Sequence, residues 1–511
     1  MLLEVSLENF KAFADRQVAK LAPITLIYGP NSAGKSSLIQ SLLLMKQTVG
    51  GAGSSTSELI MKGDLVDLGT FKSVLHRHDS RKHFLMSVVY SDDWFGKTSA
   101  LHHPPLHLNV RITDNRRITT IFQARVAPGT KKKDFSQLTD VCYETLGKAA
   151  VRFELEQSKN PSSSTKYYTA GSNQKVFQLK HVQIPNVQEF FKKVFNEKRN
   201  QSSPSESDEL MTRLENQALS GNLSSSLNEV GNFIASNLLP TYGMANREEM
   251  KKGVNDSLRI FRPVAGFVES LSYEYTQMLR NISYLGPMRV YPERLYFMAG
   301  GQKKTVGSKG ENVPAVIYQD QKRLTKLIND WFLRFEIPYR IKITDIGNDI
   351  TGKIVSMSLE DRASKVVVSP SDVGFGIGQL LPIIVEGLVS SYRIVLVEQP
   401  EIHLHPKLQA HIADFLIETA GLARPSEKNC IHSWANNQWI VETHSEALIL
   451  RLQKRIRQGR INKEDVSILY VAPSSEYGSI IKTLRLDERG DFLDEWPDGF
   501  FEESFDELFG E

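Results

Sequence analysis

Cysteine is nearly missing from this 511-residue sequence: Cys142 and Cys430 are its two cysteines, and neither sits in a C-x-x-C spacing. That excludes a disulfide framework and makes a reducing compartment the expected home. Long apolar runs are missing as well. No stretch approaches the roughly 18 uninterrupted apolar residues of a membrane helix, and the N-terminal MLLEVSLENFKAF has no basic region followed by an apolar core. The expectation is a cytoplasmic protein, neither exported nor membrane-spanning. Charge of one sign is also lacking, with 62 Lys+Arg against 59 Asp+Glu and a formal net charge of +3. Such a balance does not point to nucleic acid, because a basic footprint depends on how charge is placed. No internal repeat is found, and no sustained heptad that would make a long coiled coil.

What is present reads as an α/β chain. Leu2 to Ser6 alternate, Ile24 to Tyr28 (ITLIY) form a short apolar strand that stops at a glycine loop, and Ser37 to Gln47 read as a helix. Residues 1–80 are therefore assigned to the N-terminal part of a nucleotide-binding head. Residues 81–184 carry segments such as FLMSVVY, LHLNVRI, AAVRFEL and KVFQLKHVQI, broken by polar turns, which predict an antiparallel β layer. Residues 185–282 turn helical around the polar stretch Gln201 to Glu209, a helical insertion with a loop. A second α/β block spans 283–473, and 474–511 form an extension ending in an acidic-aromatic tail.

The chemistry is concentrated in a few motifs. Gly29, Asn31, Ser32, Ala33, Gly34, Lys35, Ser36 and Ser37 lie in GPNSAGKSS, which fits G-x-x-x-x-G-K-[ST] between a predicted strand and a predicted helix. Backbone N–H groups and the positive helix end suit the phosphates of ATP, Lys35 reaches the β- and γ-phosphates, and the Ser36 hydroxyl suits Mg²⁺. A second apolar strand, RIVLVEQPE, ends on Glu398, the place from which a buried central strand delivers a carboxylate to Mg²⁺. Some forty residues later QWIVETHS repeats the design and puts His444 at a strand end, where open parallel sheets bind ligands. His444 is expected to sense the γ-phosphate, against the bland alternative of a structural histidine. Gly376, Gly378 and Gln379 belong to SDVGFGIGQ, followed by an apolar helix. Because the chain already has a P-loop for its own nucleotide, this segment is expected to serve a neighbour's ATP; a tight turn is the competing reading.

In that order, P-loop, glycine-rich segment ending in Gly-Gln, acid-tipped strand and switch histidine resemble ABC-type ATPases of the RecF, SMC and OLD group. The closer resemblance is to stand-alone bacterial ATPases of that group that carry the AAA name, through ENFKAF, GPNSAGKSS, DLVDLGTF, YLGPMR, VGFGIGQLLPI, VEQPEIHLHPKLQ, VETHSE and DEWPDGFFEE. It spans Leu2 to Phe509, and is weakest over Lys82 to Ile282. The resemblance implies an ABC-type P-loop ATPase head with an antiparallel β subdomain and a helical insertion. It also implies a head-to-head dimer in which one subunit's P-loop and the other's Gly376, Gly378 and Gln379 enclose ATP, often within a larger homo-oligomer. Several relatives act in phage defence beside a nuclease, as in PARIS and Septu. No Toprim domain or HNH pattern is found here, so a nuclease effector is expected as a separate chain, with double-stranded DNA or a phage protein as the trigger. The alternative is a RecF-like repair or recombination ATPase.

One departure bears on chemistry. ABC ATPases usually carry Asp-Glu where this chain has Glu398-Gln399, and an amide cannot take a proton from the attacking water. Slow hydrolysis is expected unless Glu401 substitutes; whether Gln399 is natural or engineered is open. Weaker signals stay two-sided. His403, His405 and His411 lack a partner acid at zinc spacing. Arg451, Lys454, Arg455, Arg457 and Arg460 line one helix, either as a solvated face or as a DNA contact. Arg289 and Arg294 are either nucleotide-linked or structural. The last 25 residues, Asp487 to Glu511, hold eleven acids and one base but also six aromatics from Phe492 to Phe509. A purely solvating tail has few aromatics, so this one should dock, on its own head or on a partner.

Overall fold

The computed structural model describes residues 1–51, 59–91, 115–125, 135–145, 149–157, 177–183, 271–298, 301–423, 435–474 and 478–496. Most of the expected helical insertion, the Gln201 to Glu209 loop, the LHLNVRI segment, Cys430 and the tail beyond Trp496 lie outside them. The chain divides into two compact units, Met1–Val18 with Gln40–Arg280, and Ala19–Ile39 with Asn281–Glu511.

The first unit is built on the β-branched and aromatic segments. Its seven-stranded sheet runs in the order β2 (Gln17–Lys20), β1 (Leu2–Glu8), β4 (Phe84–Tyr90), β5 (Arg116–Arg125), β6 (Phe135–Thr145), β7 (Ala149–Gln157) and β8 (Phe177–Gln183). The pairings from β1 and β4 through β8 are all antiparallel, as the hydrophobic patterning predicted. Phe10, Phe84 and Phe122 stack in its core with ring centroids 4.9 and 6.0 Å apart. Arg116, buried at the far end of the β4–β5 pairing near the Tyr90 ring, meets Glu274 at 2.6 Å, since a buried guanidinium requires a partner. The DLVDLGTF segment is held by Gln47, whose amide nitrogen donates to Ile60 O and Val66 O while its oxygen accepts from Leu65 N and Val66 N.

The second unit carries a six-stranded sheet in the order β17 (Gly478–Leu484), β16 (Val466–Ser474), β3 (Ile24–Tyr28), β15 (Gln438–Glu442), β14 (Ile394–Glu398) and β9 (Ile282–Leu285). All neighbours are parallel except the β16–β17 hairpin. Every residue of β3, β14 and β15 is buried, which is why these strands read as continuous apolar runs and not as alternations. The hairpin straddles Pro473, so the sheet continues into the segment assigned to the C-terminal extension. A smaller antiparallel sheet orders β10 (Leu295–Phe297), β12 (Ile354–Asp361) and β11 (Tyr339–Asp345), with β13 (Val367–Val368) paired to β12.

α1 (Lys35–Gly51) leaves the glycine loop after β3 and carries the chain into the first unit at Gln40. α2 (Val313–Gln319) and α3 (Gln321–Arg334) precede the small sheet, and α4 (Phe375–Val389), α5 (Pro406–Thr419) and α6 (Glu446–Arg457) follow it. Leu324, Ile328, Trp331 and Phe332 recur at helical spacing along α3 and bury one face. Trp331 meets Phe415 edge-on at 4.8 Å, and Phe415 meets Trp439 of β15 at 6.1 Å. Arg334 lies 3.7 Å over the Trp331 ring and bonds Glu418, so its charge is matched twice.

Candidate nucleotide-binding site

Parallel register gathers the motifs at one edge of the six-stranded sheet. Glu398 pairs with Glu442, Glu442 with Ile27, and Val397 with Leu285, so the loops after β14, β15, β3 and β9 open side by side. Carboxyl ends of parallel strands are where such sheets bind ligands.

The P-loop after β3 has the backbone its glycines allow. Gly29 has φ 142°, and a Cβ there would stand 2.2 Å from Val471 O, so no side chain fits. Gly34 (φ 102°) and Ser32 (φ 63°) also lie in the left-handed region, which turns the chain into α1. Lys35 Nζ donates to Gly29 O and Pro30 O, both at 2.9 Å, and is nearly buried. Burial pushes its pKa down, while Glu442 and then Glu401 oppose the shift. Ser36 Oγ donates to Glu442 Oε1 at 3.1 Å. Asn31, Ala33 and Ser37 complete the loop and the start of the helix.

The acids occupy three distinct environments. Glu398 accepts from Tyr284 Oη at 3.0 Å, and burial with this nearby carboxylate raises the tyrosine's pKa. Glu442 is buried, its pKa is raised mainly by that burial, and its Oε2 has no hydrogen-bond partner among the described residues. Glu401 accepts from Thr443 Oγ1 at 2.7 Å and from His444 N at 2.6 Å, which binds the two strand-end loops together. Both of its oxygens are engaged on that turn, an arrangement for positioning His444. Burial also raises the Glu401 pKa, opposed by these same hydrogen bonds. Burial first and Lys35 second lower the pKa of His444, which favours the neutral ring. Gln399 sits at φ 46° with its N–H on Glu442 O at 2.7 Å. A glutamine in that region is uncommon and pins the chain just beyond Glu398.

Arg289 and Arg294 now have partners. Arg289 donates through Nη2 to Glu398 O at 2.9 Å, and through Nη1 to Gln379 Oε1 at 3.3 Å and Gln399 O at 3.4 Å. Its near-complete burial pushes its pKa down to about 10. Arg294 pairs with Asp372 through both terminal nitrogens, and Tyr291 Oη donates to Ser371 O. The YLGPMR strand-loop thus fastens the SDVGFGIGQ segment to the acid-tipped strand. A Cβ at Gly378 would stand 3.0 Å from Pro292 Cγ, a tight contact that would press on that ring. At Gly376 the nearest atoms would be His403 O at 3.2 Å and Leu404 Cδ2 at 3.3 Å, whereas nothing lies within 4 Å of a Cβ on Gly374.

The weaker signals resolve into local structure. His405 caps α5 by accepting from Lys407 N at 3.2 Å, and no cluster of metal-ligating side chains occurs among the described residues. Arg451 and Arg455 both bond Asp414, and Arg457 bonds Asp491. Three of the four cations on α6 are therefore matched by acids of the same chain, and Arg460, expected on the same helix, lies beyond its end at Arg457. Phe492 and Trp496, the described aromatics of the tail, pack edge-on to each other at 4.9 Å, and Trp496 meets Tyr28 at 5.8 Å and Tyr470 at 6.0 Å.

These residues fit ATP with Mg²⁺. The loop's left-handed glycines, a buried lysine whose Nζ donates to loop carbonyls, and a buried carboxylate oxygen beside the Ser36 hydroxyl are what a polyphosphate and a hard cation demand. Lys35 and the α1 N-terminus would hold phosphate, and Ser36 and Glu398 the ion; the ion supplies charge neutralisation for phosphoryl transfer. Glu442 was not singled out from the sequence, although it ends its strand as Glu398 does.

Several solved structures are similar over most of the chain. The SmcHead bound to the C-winged helix domain of ScpA is 11% identical, with 95% of this chain and 98% of that chain covered and a TM-score of 0.41. The Smc head domain with an extended coiled coil bound to the C-terminal domain of ScpA, derived from Pyrococcus furiosus, is 12% identical, with 95% and 96% covered and a TM-score of 0.37. The SMC head domain from Thermotoga maritima is 9% identical, with 95% and 99% covered and a TM-score of 0.36. No curated protein matches the chain. Residues 461–509 match the family described as protein of unknown function (DUF3696). Residues 1–449, which include the P-loop, the strand-end carboxylates Glu398 and Glu442, and His444, match the AAA ATPase domain family, and the chain belongs to that family.

Proposed function

We propose that this chain is an ATP-loaded, slowly hydrolysing switch. Two copies close head to head around ATP and Mg²⁺, each P-loop facing the partner's Gly376, Gly378 and Gln379, and His444 reads the γ-phosphate. The closed state controls a separate effector, a nuclease in anti-phage defence, in the cytoplasm, and double-stranded DNA or a phage component is the trigger. The observation that carries the switch reading is Gln399: it follows Glu398, it is pinned at φ 46° by its N–H on Glu442 O, and it offers an amide where a proton acceptor would speed turnover. An ATPase that holds its nucleotide longer than it cleaves it suits signalling better than transport. The defence role rests on the motif resemblance to stand-alone ATPases that act beside a nuclease.

The test is to co-express the chain with its neighbouring gene products and purify it with and without ATP and Mg²⁺. Co-purification of a nuclease whose activity changes with nucleotide supports the reading. Stimulation of ATP turnover by DNA ends or gaps, with no effector bound, would favour a RecF-like repair ATPase instead.

A further inference from the structure

The strand that delivers Glu398 is followed by an amide at Gln399, but the next strand delivers another acid. Glu398 and Glu442 are register partners on adjacent parallel strands, so their side chains leave the same face of the sheet about 4.8 Å apart at the backbone. Glu442 is 4% exposed. Its Oε1 accepts from the P-loop hydroxyl of Ser36, and its Oε2 is buried without a hydrogen-bond partner among the described residues. A buried carboxylate oxygen with no donor carries a desolvation cost that a cation would offset. The backbone around it is fixed on both sides, by Gln399 N on Glu442 O and by Thr443 N on Ile27 O. Glu401 differs, because both of its oxygens already accept hydrogen bonds.

We infer that Glu442 is a magnesium-site carboxylate, which holds with Ser36 and Glu398 the divalent cation that accompanies ATP. The inference rests on the ATP reading of the site. Magnesium takes hard oxygen ligands and is commonly bound by one or two carboxylates together with substrate phosphates, the set that Ser36, Glu398 and Glu442 would complete.

The decisive variant is Glu442→Gln, which keeps the size of the side chain and an oxygen for Ser36 but removes the charge. Binding of ATPγS is measured by calorimetry across a Mg²⁺ titration, and bound Mn²⁺ is followed by electron paramagnetic resonance. Metal-free ATPγS affinity should stay within about twofold of wild type, while the Mg²⁺ needed for half of the metal-induced tightening should rise about tenfold or more, with Mn²⁺ weakened in parallel. Glu401→Gln should leave the Mg²⁺ requirement at its wild-type value. If Glu442→Gln does not fold, Glu442→Asp, which retracts the carboxylate by one methylene, is measured in its place and should raise the requirement severalfold. Superimposable Mg²⁺ and Mn²⁺ titrations for wild type and a folded Glu442 variant overturn the inference. A wild-type chain that binds no ATPγS would instead overturn the nucleotide reading beneath it.

Discussion

Glu401→Ala tests whether Glu401 positions His444 or acts as a base. The side chain accepts two hydrogen bonds, from Thr443 Oγ1 and from the His444 backbone, at 2.7 and 2.6 Å. Bonds to a charged group contribute roughly 1.5–3 kcal/mol each, so the pair is worth roughly 3–6 kcal/mol before offsets. Part is recovered, because burial already raises the Glu401 pKa and the variant no longer buries that charge. The net loss should be about 3 kcal/mol, which lowers the melting temperature by about 6–12 °C for a unit of this size. Glu401→Gln should cost only about 1 kcal/mol, since its amide oxygen still serves His444 N–H and its nitrogen can turn to Thr443 Oγ1. Scanning calorimetry reads both, and nucleotide hydrolysis is measured on the same samples. Glu401→Ala melting like wild type would refute the clamp. Glu401→Gln losing all hydrolysis with stability and ATP affinity intact would make Glu401 the base.

Three further outcomes follow from the site. Gln399→Glu should raise single-turnover hydrolysis by about 100-fold, the lower end of what a positioned base supplies, and an unchanged rate would mean that the amide does not limit turnover. Gly374→Arg should keep the wild-type melting temperature, because its Cβ meets nothing within 4 Å, yet block ATP-driven dimerisation read by light scattering. Normal dimerisation would place the partner's nucleotide elsewhere; Gly378→Arg is the poorer probe, because its Cβ would already stand 3.0 Å from Pro292 Cγ of its own chain. Trp496→Ala should destabilise by about 2–4 kcal/mol, because it strips edge contacts from Tyr28, Tyr470 and Phe492; an unchanged unfolding curve would contradict self-docking of that segment.

Much of the site was legible in the sequence because its elements are local. A P-loop announces itself through glycines at fixed spacing after an apolar strand, and strands β14 and β15 each end in a conspicuous polar residue. Glu442 was in plain view but eclipsed by His444, although the rule that singled out Glu398, an acid at the tip of a buried strand, applied to it equally. Arg289 and Arg294 could not be decided from sequence, because their partners Gln379 and Asp372 lie 90 and 78 residues away. The antiparallel layer was readable from its β-branched segments, but not that β1 pairs with β4 across some eighty residues of chain. The small sheet escaped because β10 has three residues and β13 two, too short to show a period. At Gly378 the tight approach of Pro292 Cγ, 3.0 Å from where a Cβ would stand, joins positions 86 residues apart and leaves no local trace in the sequence.

We propose that the loop from Gly29 to Ser36 binds ATP with a divalent cation and that binding drives two copies together. The most direct test is a calorimetric titration of ATPγS with Mg²⁺ into wild type and Lys35→Ala, with light scattering on the same samples. Lys35 is the cation placed to meet the β/γ-phosphates, and its Nζ is held at the loop by Gly29 O and Pro30 O. Wild type should bind and double in mass, while Lys35→Ala should lose at least about 100-fold in affinity, about 2.7 kcal/mol, and stay at its nucleotide-free mass. Equal affinity in the two proteins, or binding by wild type with no change in mass, would contradict the account.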